Sequence, residues 1–429
     1  MGIRLKEVWR IDYSNRATFR GVGIVCSLFF LVYLGNSLWL TLFPNHLLNQ
    51  GMSPLLIGVV LMIYNAALSL GYLPSGQLSD RIGRRPLIVA GAILLALGAL
   101  SLSLSTEWTT TILAVIVEGI GLALLAPSSN ALISEIVSGK GSGSAFSIYQ
   151  IATLSASVVG SFAAGALAET VGFPKMFLLS AIIIGSAGIL SYVIVPETLE
   201  RKTLAYASAV SKSLRSSITG TAAMLRSNKE LSLLTGALAV HSTAITMINP
   251  FVPLFAEKAI RLDIAQVGVI MSMSNAGNAI AQIPAGHLTD RFGGRRLLLT
   301  HLILSSLCYL FYAWSWNLES GITLVFFCGI VGALDMPARR TIMIEYTTKE
   351  AGKATIIGTL DAITGTVGII GPLIGGIVWA TMGYAAPFVI GSIINAFACL
   401  PFLLILRNRS QRRFPAMVKT NQAAPNMMR

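Results

Sequence analysis

Twelve stretches of this chain are apolar over about 20 residues or more, the length a helix needs to cross the hydrocarbon core of a bilayer. They lie roughly at 19–43, 53–77, 86–105, 109–132, 143–168, 173–195, 231–256, 262–287, 297–316, 319–344, 353–380 and 385–406. Lipid offers no partner to a free backbone amide, so such segments are confined to helices or closed barrels. The period-two alternation of a membrane barrel is missing from them. With 54% hydrophobic and only 11% charged residues in 429, the chain carries more apolar surface than a soluble core can hide. The expected class is therefore an all-α integral membrane protein with twelve transmembrane helices. The first apolar run is long, starts late and follows a basic, amphipathic stretch, so no cleavable signal peptide is expected.

The net charge of +13 invites a nucleic-acid reading, but the basic residues sort by side of the membrane. If both termini are cytoplasmic, 28 of the 31 lysines and arginines fall on the inner side, and Lys175, Lys258 and Arg261 fall outside. That asymmetry is the positive-inside pattern. It orients a multi-pass cell-membrane protein and attracts anionic lipid headgroups, and no nucleic-acid partner is expected. Cys26, Cys308, Cys328 and Cys399 all lie within apolar runs without paired spacing. Neither a disulfide framework nor a metal site is expected from them, and no cofactor motif is present.

Residues 58–85 and 268–295 align without a gap at 11 identities in 28 positions, where average residue usage gives roughly two. "GQLSDRIGRR" (76–85) thus returns as "GHLTDRFGGRR" (286–296). The register continues, Gly119 over Gly329, Pro127 over Pro337 and Glu135 over Glu345, then slips by one so that Gly160, Gly172 and Phe177 meet Gly371, Gly383 and Phe388. Two parallel repeats of six spans are the architecture of rocking carriers. The expected division is a cytoplasmic N-terminal segment (1–18), an N-terminal six-helix bundle (19–196), a cytoplasmic linker (197–230), a C-terminal six-helix bundle (231–406) and a cytoplasmic tail (407–429). The linker is polar, with a surface helix expected around 204–226, and the basic, polar tail is expected to be disordered.

These residues carry a resemblance. "GQLSDRIGRRP" resembles the loop 2–3 signature of the major facilitator superfamily, with a weaker copy after span 8. "GMSPLLIGVVLMIYNAALSLGYLPSGQLSDRIGRR", the "PETL" after span 6 and the "NPFVPLF" ending span 7 are similar to the twelve-helix drug:proton antiporter group. The resemblance implies two pseudo-symmetric six-helix bundles, span 2 packed against span 11, and a central cavity lined by spans 1, 4, 7 and 10. Two elements of that group depart here. Val115 and Glu118 stand where an arginine and a glutamine are usual in span 4, and Gly160 is followed by Ser161, while a fuller Gly-Pro element, Gly371, Pro372, Gly375 and Gly376, sits in span 11.

In the repeated turn, Gly83 supplies backbone freedom and Gly76 is expected to allow close helix approach. On the implied packing, Asp80 faces the start of span 11 near Lys353, where free amides favour an anion. It would act as a conformational latch together with Arg81, Arg84 and Arg85, which could pair with Glu135 or with lipid phosphates. The pseudo-symmetric copy is Gly286, Asp290, Arg291, Gly293 and Arg295, with Asp290 facing the start of span 5 around Gly143. A basic turn needed only for orientation is the simpler reading, although orientation does not require Asp80.

Ionisable residues inside spans are costly and mark function unless a local partner explains them. Glu118, His241, Asp335 and Asp361 lie well inside their spans. Asp335 has Arg339 at i+4, which suits a local ion pair, whereas Glu118 and Asp361 have no basic residue at helical spacing. A lone histidine such as His241 is more often a satisfied hydrogen-bonding group than a proton carrier. Glu118, Asp361, Asp335, His241, Asn36, Tyr33 and Asn249 are the candidates for the cavity or for proton coupling, with Glu118 first. No lysine or arginine lies mid-span in spans 1, 4, 7 or 10, which disfavours anionic cargo. Tyr33, Trp39, Tyr64 and Glu118 suit amphipathic neutral or cationic compounds.

The expected function is a secondary carrier, not an enzyme, that exports lipophilic small molecules in exchange for protons and works as a monomer. A facilitator for a nutrient such as a sugar is the alternative. A transport-dead sensor or a membrane enzyme ranks lower, because no span holds the paired acids a Mg²⁺-dependent lipid-phosphate enzyme needs.

Overall fold

The computed structural model describes residues 16–105, 107–136, 142–199, 225–226, 228–345 and 353–403. Residues 1–15, 200–224 and the tail from 404 onward lie outside the described residues, and with them all but the last two positions of the surface helix expected at 204–226. The regular elements among the described residues are all helices, with no strand among them.

The first half runs α1 (Arg16–Leu40), α2 (Phe43–Asn49), α3 (Pro54–Ile82), α4 (Arg84–Leu104), α5 (Trp108–Ile136), α6 (Ser142–Val171) and α7 (Phe173–Ile194). The second runs α8 (Lys229–Ile248), a short 3₁₀ turn at Asn249–Phe251, α9 (Val252–Lys258), α10 (Ile264–Phe292), α11 (Gly294–Tyr312), α12 (Leu318–Gly332), α13 (Asp335–Glu345), α14 (Lys353–Gly368), α15 (Gly371–Met382) and α16 (Ala386–Phe397). Helix forms at every one of the expected stretches. Ten of the helical stretches among the described residues are long and apolar enough to cross a membrane by length and composition. α10 and α11 fall outside that set, since α10 carries Gln266, Asn275, Asn278 and Gln282 and α11 carries Arg295, Arg296 and His301.

Local sequence explains the ends and the breaks. Asp263 and Gln266 form a reciprocal capping box at the start of α10, and Asn317 with Ser320 does the same for α12, each satisfying amides a helix start leaves free. Four spans of the second half are interrupted, which continuous apolar runs do not reveal. The last breaks at Ala398, shortly before Pro401, and the others beside Pro250, Pro337 and Pro372, where the missing amide and the ring's clash with the carbonyl four residues back break the ladder.

The halves meet unevenly. α6 packs along α10, and α3 along α15 and α14. Gly165 and Gly268 approach so closely that a Cβ on Gly165 would lie 2.7 Å from the Cα of Gly268. One large apolar core, containing Trp39, Phe43, Phe177, Phe251, Phe255, Tyr312 and Phe388, draws residues from both halves. All of these belong to the ends of the spans away from the Asp80 turn. Asn45 ties the halves there too, its amide donating to the Pro253 carbonyl at 3.1 Å and to Glu257 at 2.6 Å. The other larger apolar clusters each stay within one half. Large apolar side chains such as Ile189, Ile280 and Phe397 are exposed on the periphery, as contact with lipid tails permits.

Candidate functional site

A cavity of about 320 Å³ opens inside the second half, between α8, α10, α11, α12 and the first turn of α13. The helix interruptions shape it. Asn249 begins the 3₁₀ turn after α8 and accepts a hydrogen bond from the Tyr309 hydroxyl at 3.0 Å. Asp335 opens α13 just past the break that Pro337 imposes. Asn275 and Asn278 of α10 also line the cavity, and both are tied to neighbours. The Asn275 amide donates to Ser161 of α6 at 2.9 Å, and the Asn278 amide to the Gly329 carbonyl at 3.4 Å.

On one wall three ionisable side chains converge from three helices. One donor atom from each of His241, His301 and Asp335 lies within 4.8 Å of the others, and the two imidazole rings stand edge to face with centroids 5.1 Å apart. His241 meets Asn395 of α16 through Nδ1 at 2.7 Å, and the Asn395 amide donates to Ser305 at 2.9 Å and Ser306 at 3.0 Å. His301 meets the Val331 carbonyl through Nδ1 at 2.8 Å. Asp335 holds the expected ion pair with Arg339 at 2.7 Å, and its Oδ1 lies 4.0 Å from Nε2 of His241. His241 is thus both satisfied at Nδ1 and part of a polar cluster. His301 escaped the sequence reading, although a histidine inside an apolar run was a signal that could have found it.

The other expected site residues lie elsewhere. Glu118 is fully buried, and neither of its carboxylate oxygens has a hydrogen-bond partner among the described residues. It is turned onto α4, where a Cβ on Gly98 would sit 2.5 Å from its Cγ, so it does not line the cavity described above. Trp39 and Tyr64, expected beside the cavity, instead meet edge to face in the apolar core with ring centroids 5.7 Å apart, because that end of the molecule is packed shut. Tyr33 pairs with Tyr149 at 3.3 Å, and Asn36 accepts from the Trp39 indole at 3.3 Å. Asp361, without a partner at helical spacing, is met across the helix interface by Arg340 at 3.1 Å. Gly371 and Pro372 open α15 after the break, and Gly375 packs on Phe251. Gly376 backs onto Gly58 and Pro54 of α3, so this element joins the halves.

The Asp80 turn is a network of charges. Gly83 takes φ +119°, a conformation that disfavours any side chain, and chains α3 to α4. Arg84 reaches back to Asp80 at 2.5 Å and across to Glu135 of α5 at 2.8 Å. Glu135 also accepts from the Thr198 hydroxyl at 2.5 Å. Glu197 caps α4, its carboxylate accepting the backbone amides of Arg84 at 3.0 Å and Arg85 at 3.2 Å. "PETL" therefore fastens the end of the first half to this turn. The Arg85 guanidinium donates to the Tyr192 carbonyl and lies over the Tyr192 ring at 4.6 Å, while Arg81 is exposed.

Gly76 does not serve the close packing expected of it, since a Cβ there would meet open space, as one would at its copy Gly286. The second turn differs from the first. Gly293 keeps the positive φ at +83°, but Arg295 bonds Glu230 at the start of α8 at 2.6 Å. Gly294 replaces the arginine because α11 lies close to α13 there, a Cβ falling 2.7 Å from the Ala338 carbonyl oxygen. Asp290 and Arg291 belong to the last turn of α10. The partners expected for Asp80 and Asp290, around Lys353 and Gly143, involve side chains outside the described residues.

Comparison with known proteins fits this architecture. The chain is 25% identical over 353 residues to the multidrug resistance protein MdtG of Enterobacter lignolyticus (strain SCF1), covering 80% of each chain. It is 27% identical over 343 residues to the multi-drug resistance efflux pump PmrA of Streptococcus pneumoniae serotype 4, covering 77% of this chain and 81% of that one. Among solved structures, the nucleoside transporter NupG superposes with a TM-score of 0.75 at 13% identity, over 89% of this chain and 99% of that one. A bacterial homolog of the human lysosomal transporter Spinster gives 0.72 at 13% identity, over 92% and 98%. The sequence model of the Major Facilitator Superfamily matches residues 25–240 and 234–425, and the chain, a multi-pass membrane transporter of small molecules rather than an enzyme, belongs to that superfamily.

Proposed function

We propose that this transporter exports lipophilic neutral or cationic small molecules across the cell membrane in exchange for protons, by alternating access. The observation that carries this reading is the lining of the cavity. Asp335 is its acid, and no lysine or arginine is among its lining residues, so an anionic cargo would find no cation to replace its lost hydration. The similarity to MdtG and PmrA, named for multidrug resistance and efflux, supports export.

Alternating access requires two halves that rock about a shared interface. We take these as residues 19–196 and 231–406, joined by the linker 197–230 and acting as a monomer. Both termini lie in the cytoplasm, as the charge partition supports, and the basic inner loops contact anionic headgroups. On that topology the apolar seal between the halves is on the outer side, and this conformation faces inward.

For proton coupling Glu118 is the best-suited acid. Asp335 and Asp361 are paired with Arg339 and Arg340, whereas Glu118 is buried with neither carboxylate oxygen hydrogen-bonded among the described residues, and burying an unpaired charge is costly. Its place against α4 makes it a proton carrier acting through helix packing rather than a direct contact of the cargo. A second reading, a carrier of polar nutrients, is favoured by the asparagines that line the cavity. Cellular accumulation of fluorescent lipophilic cations and of labelled sugars separates the two: reduced accumulation of the cations supports export, and sugar uptake alone supports the nutrient reading.

A further inference from the structure

We propose that His241, His301 and Asp335 form a binding site for a first-row divalent transition-metal ion, of the zinc type, in the wall of the cavity. The inference is independent of the cargo. Its first support is convergence: two imidazoles and a carboxylate, one each from α8, α11 and α13, bring donor atoms within 4.8 Å of one another. Two nitrogens and one oxygen suit zinc or its neighbours, and they do not suit magnesium or calcium, which take oxygen ligands.

The second support is the proton inventory. The Val331 carbonyl can only accept, so His301 carries its proton on Nδ1, and Nε2 keeps its lone pair. That Nε2 is buried without any hydrogen-bond partner among the described residues, in a side chain whose residue is only 3% exposed. An unsatisfied polar atom at such depth normally costs stability. His241 is set the same way. The Asn395 amide donates to Ser305 and Ser306, which turns its Oδ1 toward His241 Nδ1 and leaves Nε2 free on the side of Asp335. Both rings are therefore held by a backbone or amide oxygen in the tautomer that presents Nε2, the outer-shell arrangement typical of metal-ligating histidines.

Asp335 is divided between two tasks. Its Oδ2 takes the Arg339 guanidinium at 2.7 Å, while Oδ1 has the longer Arg339 contact, 3.4 Å, and faces His241. Metal bonds of about 2.1 Å in tetrahedral geometry place donors about 3.4 Å apart, so small side-chain rotations close the site. The remaining coordination positions face the cavity, open to water or to a donor atom of a molecule within it. The neighbouring guanidinium repels a cation and holds the affinity below that of a closed structural zinc site.

The test is a Co²⁺ titration of the purified full-length protein, carrying a histidine-free affinity tag and stripped with chelator, followed by visible d–d absorption with Zn²⁺ as competitor. The proposal expects one Co²⁺ per chain, displaced by Zn²⁺. His241→Gln and His301→Gln should each weaken binding at least about tenfold, and His287→Gln, at an exposed histidine, should leave it unchanged. A parent protein that takes up no stoichiometric Co²⁺ at micromolar concentration overturns the proposal whether or not the variants fold. So does binding that persists undiminished in both His241→Gln and His301→Gln.

Discussion

Arg84 holds Glu135 at 2.8 Å and so clamps the start of α4 to the end of α5. The same guanidinium reaches Asp80 at 2.5 Å and Ser79 at 3.1 Å, which makes it the hub of the turn. Arg84→Ala removes these bonds and leaves two carboxylates facing each other. Because Glu135 and Asp80 remain partly exposed, the expected loss is on the order of 2 kcal/mol. Thermal unfolding in detergent micelles should register it as a lower midpoint, and an unchanged midpoint would mean the clamp contributes nothing.

Asp80→Asn keeps the shape of the turn but removes the charge that a latch needs. Transport is expected to slow markedly with little loss of folded protein. Asp290→Asn should matter less, because its turn has Gly294 in place of an arginine. Rates from matched expression levels decide the point, and a normal Asp80→Asn beside an impaired Asp290→Asn would reverse the asymmetry.

The sequence carried some of this and hid the rest for physical reasons. Spans, repeat and the Asp335–Arg339 pair were legible because hydrophobic length and helical spacing are local properties. The Asp361–Arg340 pair and the meeting of His241 with His301 depend on which faces of separate helices touch, and no spacing encodes that. The breaks beside Pro250, Pro337 and Pro372 did have a signal in the prolines, masked by the continuous apolar character around them. That Glu118 has no basic residue at helical spacing is legible in the sequence, but its direction, toward Gly98 of α4, is set by packing within the half.

Topology can be mapped with single cysteines in a background lacking Cys26, Cys308, Cys328 and Cys399. Probes at Ser211 and Gln411 should react only from the cytoplasm, and probes at Asn49 and Trp108 only from outside. Reaction of Ser211 from outside would break the assignment of two halves joined by an inner linker.

Glu118→Gln imitates the protonated side chain permanently. Export of neutral and cationic compounds alike is expected to lose its proton drive, and the dependence of efflux on external pH to disappear. Efflux measured across a pH series at normal expression checks this, and a retained pH dependence removes Glu118 from the coupling role.

The central claim is proton-driven export of lipophilic compounds, and it is tested most directly by the purified transporter in sealed proteoliposomes with an imposed pH gradient. A fluorescent lipophilic cation is expected to accumulate against its own gradient while protons run the other way, and an uncoupler to abolish the accumulation. Cation movement indifferent to the gradient and the uncoupler, with labelled sugar carried instead, would contradict it.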